Sequence, residues 1–438
     1  MIKFFLIAGL LVAGVLWFAD HPGLVAINWE GWVIETNVPL LGLLTLVLAM
    51  SLSIIWRSWL GIIHIPRYFR RKCDERKAKK IIDETARGLS AVAGGDAYKG
   101  NNSAAKAREM SADNPLTLLL SAQSAVLSGD IASARRDFNL LAVNKNTAIL
   151  GLKGLANLEL KEGDATLALE HMRRANYSNP GLPTILSGLF DLQIRAKIWD
   201  EALQSLETGK SKGLFPRYIR QKAVVLHEMA FGTFDTDEGL KSIRRAIDCD
   251  PDFIPAHVLR AKLLAKSGKD KKAADVIIES WKHVPHPDLV EIYLKLWDDN
   301  EMSKVGRVQR LAQANPKHAQ SKLALAQAFL AAKLWGEARA QLEVDVKSGT
   351  CGKEFYLLMA QIEKGEKGEN SPNLLSLWEK IALHPAAQTW YCQDCGRKAH
   401  SFQSFCNHCG EFGTIDWTYP LLAEDVPVNS PSLLPSLL

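Results

Sequence analysis

Two uncharged stretches open the chain, and almost everything behind them alternates between apolar and polar at helical spacing. Phe4 to Ala19 contains no charged residue, and neither does Val38 to Trp56, a run of 19 residues. About 20 apolar residues at 1.5 Å each cross the hydrocarbon core of a bilayer. The second run meets that length unaided. The first meets it with Met1 and Ile2 added and Lys3 reaching back to the headgroups. It ends Leu16-Trp17-Phe18-Ala19-Asp20, without the small-x-small site of a cleaved signal. Trp17, Trp56 and Trp59 stand where interfacial tryptophans belong. Between the runs, Val25, Ile27 and Trp29 alternate, then Trp32, Ile34 and Thr36, with Glu30-Gly31 between them. That pattern predicts a small hairpin at the membrane surface.

From about Lys77 to Pro385 the period is helical, broken by Gly, Asp, Asn and Pro. Ala134, Ala168 and Ala202 are spaced by one repeat length of 34 residues, as are Gly239 and Ala273. Ala122, Ala156, Ala261 and Ala326 precede Ala134, Ala168, Ala273 and Ala338 by a constant interval. Small residues at such points let antiparallel helices approach closely. Pro180 and Pro251 close units, and Ser128-Gly129-Asp130, Glu162-Gly163-Asp164 and Ser267-Gly268-Lys269 mark inter-helix turns. This is the tetratricopeptide pattern, and residues 149–182 fit it best. The longer interval from Ala202 to Gly239 predicts a three-residue insertion, placed at Phe231–Asp237. Roughly eight helix pairs are expected, stacked so that each buries its apolar stripe against its neighbours. Phe190, Trp199, Trp281, Trp297 and Trp335 read as packing residues, and His227 and His257 as satisfied structural histidines.

Composition changes the picture little: 47% hydrophobic and 23% charged residues exclude wholesale disorder. A net charge of +5 is too small to suggest a nucleic-acid partner. The placement of charge is more informative. Residues 20–37 contain no Lys or Arg, whereas Arg57, Arg67, Arg70, Arg71, Lys72, Arg76, Lys77, Lys79 and Lys80 follow the second span. The positive-inside rule then puts both termini in the cytoplasm. The basic run is read as this topology determinant followed by a solvated helix face.

Four of the seven cysteines fall close together. Cys392-Gln393-Asp394-Cys395-Gly396 and Cys406-Asn407-His408-Cys409-Gly410 form two knuckles, each closed by glycine. Their thiolates suffice for a tetrahedral metal site, zinc in the first instance, with a rubredoxin-like iron centre or a redox dithiol pair as alternatives. Four sulfurs leave no open coordination position, so the site is expected to be structural. Trp390, Tyr391, Phe402, Phe405, Phe412 and Trp417 supply aromatic mass for a small core over it. Its thiolates need a reducing compartment, which agrees with the charge-based topology.

The expected architecture is all-α. A two-span anchor covers residues 1–66 with an outer loop at 20–37, and a basic juxtamembrane helix covers 67–81. A tetratricopeptide-like α-solenoid follows over 82–385, with a Gly/Glu/Lys linker near Glu363–Asn370 and one more helix at about 373–383. A zinc-ribbon or rubredoxin-like module at 386–420 and a disordered tail at 421–438 complete the chain. There is no nucleophile–base constellation, phosphate loop or Cys-x-x-Cys-His haem-attachment site, so no catalytic and no cofactor-binding residues are assigned and no enzyme activity is expected.

The order of these pieces carries a resemblance. Two spans, Pro22-Gly23 with Trp29-Glu30-Gly31-Trp32, the basic run, and Gly88-Leu89 with Gly95-Asp96 ahead of helical repeats resemble the bacterial HemY family. Tyr391-Cys392 through Trp417 is similar to its alphaproteobacterial branch. The resemblance implies a protein of the bacterial inner membrane associated with late porphyrin and heme metabolism. It further implies a scaffold whose cytoplasmic repeats bind protein partners, heme-pathway enzymes among them. An unrelated flavin-dependent protoporphyrinogen oxidase shares the name, but no G-x-G-x-x-G follows a strand here. A second resemblance is to LapB, a membrane-tethered repeat protein that ends in a rubredoxin-like module and regulates lipopolysaccharide synthesis. LapB has one span where two are read here.

Overall fold

In a computed structural model of the chain, the described residues are 13, 17, 23–298, 300–349, 351–383 and 387–420, with backbone alone at Trp29, Ile34, Pro39 and 59–74. The first predicted span, apart from residues 13 and 17, and the predicted tail lie outside them. The chain divides into two compact units, one reaching to Asp130 and one beginning at Ile131.

In the first unit, β1 (Leu24–Trp29) pairs antiparallel with β2 (Trp32–Asn37), Trp29 opposite Trp32. Glu30 and Gly31 both adopt positive φ, 45° and 89°, as a two-residue hairpin turn demands. The Val38 N–H donates to the Gly23 carbonyl (3.0 Å) and ties the hairpin to α1 (Val38–Ala93), a helix of 56 residues. Leu40–Ser58 within α1 is long and apolar enough to cross a membrane, and none of it is buried. The limits expected at residues 66 and 81 fall inside α1, so they mark changes of composition within one helix. The last turns of α1 pack on α2 (Ala97–Met110) and α3 (Pro115–Ser128) through Val92, Ala104 and Leu120. Gly88 permits that approach, because a Cβ there would stand 2.5 Å from a Leu120 methyl.

The second unit opens with α4 (Ile131–Val143). Helix pairs follow: α5 (Ala148–Glu162) with α6 (Ala165–Ser178), α7 (Pro183–Arg195) with α8 (Trp199–Lys210), and α9 (Tyr218–Gly232) with α10 (Thr236–Cys249). Then come α11 (Ile254–Lys266) with α12 (Asp270–Trp281), α13 (Pro287–Lys295) with α14 (Glu301–Gln313), α15 (Ala319–Ala331) with α16 (Trp335–Ser348), and α17 (Lys353–Lys367) with α18 (Pro372–Leu383). The α5–α6 turn shows the local logic. Gly163 takes a left-handed φ of 87° to end α5, and the Asp164 carboxylate accepts from the N–H groups of Thr166 and Leu167 to start α6.

The small residues sit where close approach requires them. Ala134, Ala168, Ala202, Ala273 and Ala338 are all 0% exposed in second helices, and Gly239 is buried in α10. Their first-helix counterparts Ala156, Ala261 and Ala326 are 1%, 0% and 0% exposed. The fold is therefore a tetratricopeptide-like stack. His257 is satisfied as expected, with Nδ1 2.8 Å from Ser280 Oγ and Nε2 2.9 Å from the Pro251 carbonyl.

Two expectations are corrected. The extra residues between Ala202 and Gly239 lie in the loop Ser211–Arg217, not at Phe231–Asp237, where α9 ends and α10 begins after a short turn. Spacing between small residues measures an insertion without locating it. The linker expected at Glu363–Asn370 starts only after Lys367, because Glu363 is fully buried in α17. There it accepts from Arg339 Nη2 (2.6 Å), Ser371 Oγ (2.5 Å), Lys367 Nζ (3.1 Å) and Asn373 Nδ2 (3.1 Å). Burial alone would raise the Glu363 pKa, but these donors lower it to about 2. Arg339 also grips Glu366, and Arg135 grips Glu159 and Glu162 in the same way. Arg135 follows Ala134 and Arg339 follows Ala338, so one ion-pair clamp recurs at the same register of two distant repeats.

Candidate metal centre

After α18 the chain changes from helix to a three-stranded sheet in the order β4-β3-β5, made of β3 (Thr389–Cys392), β4 (Lys398–Ala399) and β5 (Ile415–Thr418). Each knuckle turns so that its closing glycine can go left-handed: Gly396 has φ 69° and donates to the Cys392 carbonyl (2.9 Å), and Gly410 has φ 74° and donates to the Cys406 carbonyl (2.9 Å).

This brings together all four predicted ligands. The sulfurs of Cys392, Cys395, Cys406 and Cys409 lie within 4.8 Å of one another. Cys392 Sγ is 3.6 Å from Cys409 Sγ, and Cys395 Sγ is 3.7 Å from Cys406 Sγ. Sulfurs bound about 2.3 Å from zinc at tetrahedral corners stand roughly 3.8 Å apart, whereas a disulfide needs about 2.05 Å. The donor set therefore fits one four-coordinate metal ion. The backbone supports thiolate character. Burial raises the Cys406 thiol, but the amides of Cys409 and His408 outweigh it and hold the pKa below the ordinary value. At Cys395 and Cys409 burial, with the neighbouring thiols, raises both above the ordinary value while no metal is bound, although the amides of Arg397 and Glu411 act in the lowering direction there too. The Thr414 hydroxyl lies 3.2 Å from Cys392 Sγ. Thr414 is missed by sequence reasoning, because no spacing rule connects it to the knuckles.

The aromatic residues expected to form a private core are shared with the repeats. Trp390 and Trp417 meet at 5.4 Å within the module. Phe402, however, packs edge-on against His227 (5.3 Å) and Phe253 (5.2 Å), and Phe412 edge-on against Phe190 (6.0 Å) and stacked on Trp199 (6.4 Å). Phe190 and Trp199 are packing residues as expected, but what they pack is the module. Asp394, inside the first knuckle, accepts two hydrogen bonds from Arg217, and Asp416 pairs with Arg220 at 3.5 Å. Arg217 closes the Ser211–Arg217 loop, so the inserted residues supply an anchor for the metal module.

A second anchor is His286, which is 0% exposed. Its Nδ1 accepts from the Asp288 N–H (3.2 Å), which leaves the proton on Nε2. Nε2 has no hydrogen-bonding partner among the described residues, but the imidazole stands edge-on to the Trp417 ring at 4.4 Å and 74°. The two rings therefore pack edge to face. Burial, only partly opposed by Asp288, lowers the His286 pKa to about 4, so the ring is neutral at physiological pH.

Residues 23–129 match the family described as HemY protein N-terminus. The chain is 26% identical over 431 residues to the probable magnetosome protein Mms48 of Magnetospirillum gryphiswaldense, covering 95% of this chain and 92% of that one. Among solved structures it is similar to the Naa15/Naa10 complex bound to HypK-THB, with 12% identity and a TM-score of 0.33, over 70% of this chain and 62% of that one. It is also similar to the TPR2AB-domain:pHSP90 complex of yeast Sti1, with 14% identity and a TM-score of 0.28, over 70% of this chain and 99% of that one. The chain spans somewhat under two thirds of the Naa15/Naa10 chain. The family match is confined to the N-terminal region, and the repeats of the second unit and the cysteine module lie beyond it.

Proposed function

We propose that the chain is a membrane-anchored, non-catalytic scaffold that gathers protein partners on its helical repeats, and that those partners are enzymes of heme and porphyrin synthesis. The observation that carries this reading is the HemY-type N-terminal region with its apolar Leu40–Ser58 stretch, followed in the same chain by stacked helix pairs. Stacked pairs present extended binding surfaces. The four gathered thiols leave no open coordination position, which supports a structural role for that site. In this reading the chain crosses the inner membrane twice with both termini cytoplasmic, and the four cysteines hold a structural zinc ion. Deletion of the chain tests the pathway assignment. Accumulation of porphyrin intermediates is expected. Unchanged porphyrins together with altered lipopolysaccharide would replace it with the LapB-like regulatory reading.

A further inference from the structure

The module does not hang from the end of the repeats. It covers side chains drawn mainly from the first helices of successive pairs. Phe190 lies in α7, and Arg217, Arg220, Val224 and His227 lie at or in α9. Phe253 and His286 immediately precede α11 and α13, and Glu354, which accepts from the Gln388 N–H at 2.8 Å, lies in α17. Beneath the module these residues form one surface of aromatic rings flanked by two guanidinium groups. What the module presents to it is complementary: Phe402, Phe405 and Phe412 with the carboxylates of Asp394 and Asp416.

The pieces that fill this surface have little to hold them in place except the metal knot. The sheet has strands of only two to four residues. Phe402 and Phe405 lie between the knuckles, and Asp394 lies inside one. A module this small draws most of its folding free energy from its metal. Without the metal its aromatic and acidic groups lose their fixed spacing, and the surface loses its occupant.

We infer that metal occupancy of the four cysteines controls access to this surface: loaded, the module is its intramolecular ligand; stripped, the surface is open to a partner segment that carries aromatic side chains beside carboxylates. The inference rests on the metal reading of the cluster. It goes beyond a structural zinc ion by making the ion a gate on the repeats. The α5–α6 pair is an internal reference, because the contacts of the module begin at Phe190.

The test is hydrogen–deuterium exchange on the full chain in detergent micelles, zinc-loaded and after chelation, with metal content read on the same samples by native mass spectrometry. The expected result is one zinc per chain when loaded. On chelation, segments 217–232, 253–258 and 286–293 are expected to lose protection by roughly tenfold or more while 148–178 stays unchanged. A double variant, Arg217→Glu with Phe402→Ala, keeps all four cysteines and is expected to expose the same segments with the metal still bound. If zinc leaves and 217–232 remains protected, the gate is overturned. If 148–178 loses protection equally, the metal supports the whole stack and gates nothing. If the loaded sample contains no metal, the metal reading fails, and the gate with it.

Discussion

Arg217 and Asp394 lie 177 residues apart and meet as a two-pronged ion pair, the guanidinium from an inserted loop of the repeats and the carboxylate from inside a cysteine knuckle. Beside it, Phe402 sits edge-on between His227 and Phe253. The pair is partly exposed, with Arg217 43% and Asp394 13% accessible, whereas the ring occupies a pocket. Arg217→Ala is therefore expected to destabilise the chain by about 1 kcal/mol or less. Phe402→Ala is expected to cost about 2 kcal/mol, below the roughly 3–5 kcal/mol of a fully buried ring because Phe402 is only partly buried. Chemical denaturation of the two variants measures both, and equal losses would mean that charge rather than packing holds the module.

Metal binding should require all four thiols. Native mass spectrometry of the full chain is expected to show one zinc ion, absent after Cys392→Ser or Cys406→Ser. Thr414→Val keeps the four sulfurs and removes the hydroxyl beside Cys392. Loss of such an outer partner typically weakens metal binding by about 10- to 100-fold. A competition titration with a chromophoric chelator would read that factor.

The recurring clamp gives a contrast between buried and exposed ion pairs. Arg339→Met leaves the fully buried Glu363 with only Lys367 and neutral donors, and Arg135→Met strips Glu159, which is 2% exposed. Each is expected to cost about 3 kcal/mol. Lys295→Met removes a partner from the exposed Glu291 and is expected to cost at most about 0.5 kcal/mol. Urea denaturation of the three variants should separate them, and equal effects would remove the clamp from the account of stability.

His286 sets a pH dependence. Its folded pKa, about 4, lies below the ordinary histidine value of 6.5. The neutral form is the one the fold holds, so the folded chain binds its proton less readily than the unfolded chain does. Its contribution is complete above about pH 6.5 and is lost progressively as pH falls toward 4. Melting temperature against pH is expected to fall more steeply over that window in the wild-type chain than in His286→Phe. Parallel curves would show that the imidazole is not held neutral against Trp417.

Much of this architecture is legible in the residues. Ala168, Ala202 and Ala273 could be placed in close contact from spacing alone, because helices that stack at a fixed distance demand a small residue at a fixed register. The cysteines are legible for a similar reason: a four-sulfur tetrahedron is built from local turns, and local turns leave local spacings. The docked module is not legible. Arg217 and Asp394 share no periodicity, and an ion pair across 177 residues leaves no mark on either neighbourhood. The insertion was detectable but misplaced, because an interval between Ala202 and Gly239 counts residues without saying where they bulge. Gly213 and Pro216, both turn formers, were the available signal for the Ser211–Arg217 loop. The burial of Glu363 was hidden by its Gly/Glu/Lys surroundings, which read as a solvated linker until Arg339 is brought beside it.

The central claim is that the repeats hold heme-pathway enzymes at a membrane. Quantitative affinity capture from detergent-solubilised membranes tests it most directly, comparing the full chain with a version that keeps residues 1–130 and lacks everything from Ile131 onward. Enzymes of porphyrin and heme synthesis are expected to be enriched with the full chain and lost with the truncation. Recovery of no such enzyme with the full chain, or equal recovery with the truncation, would contradict the account.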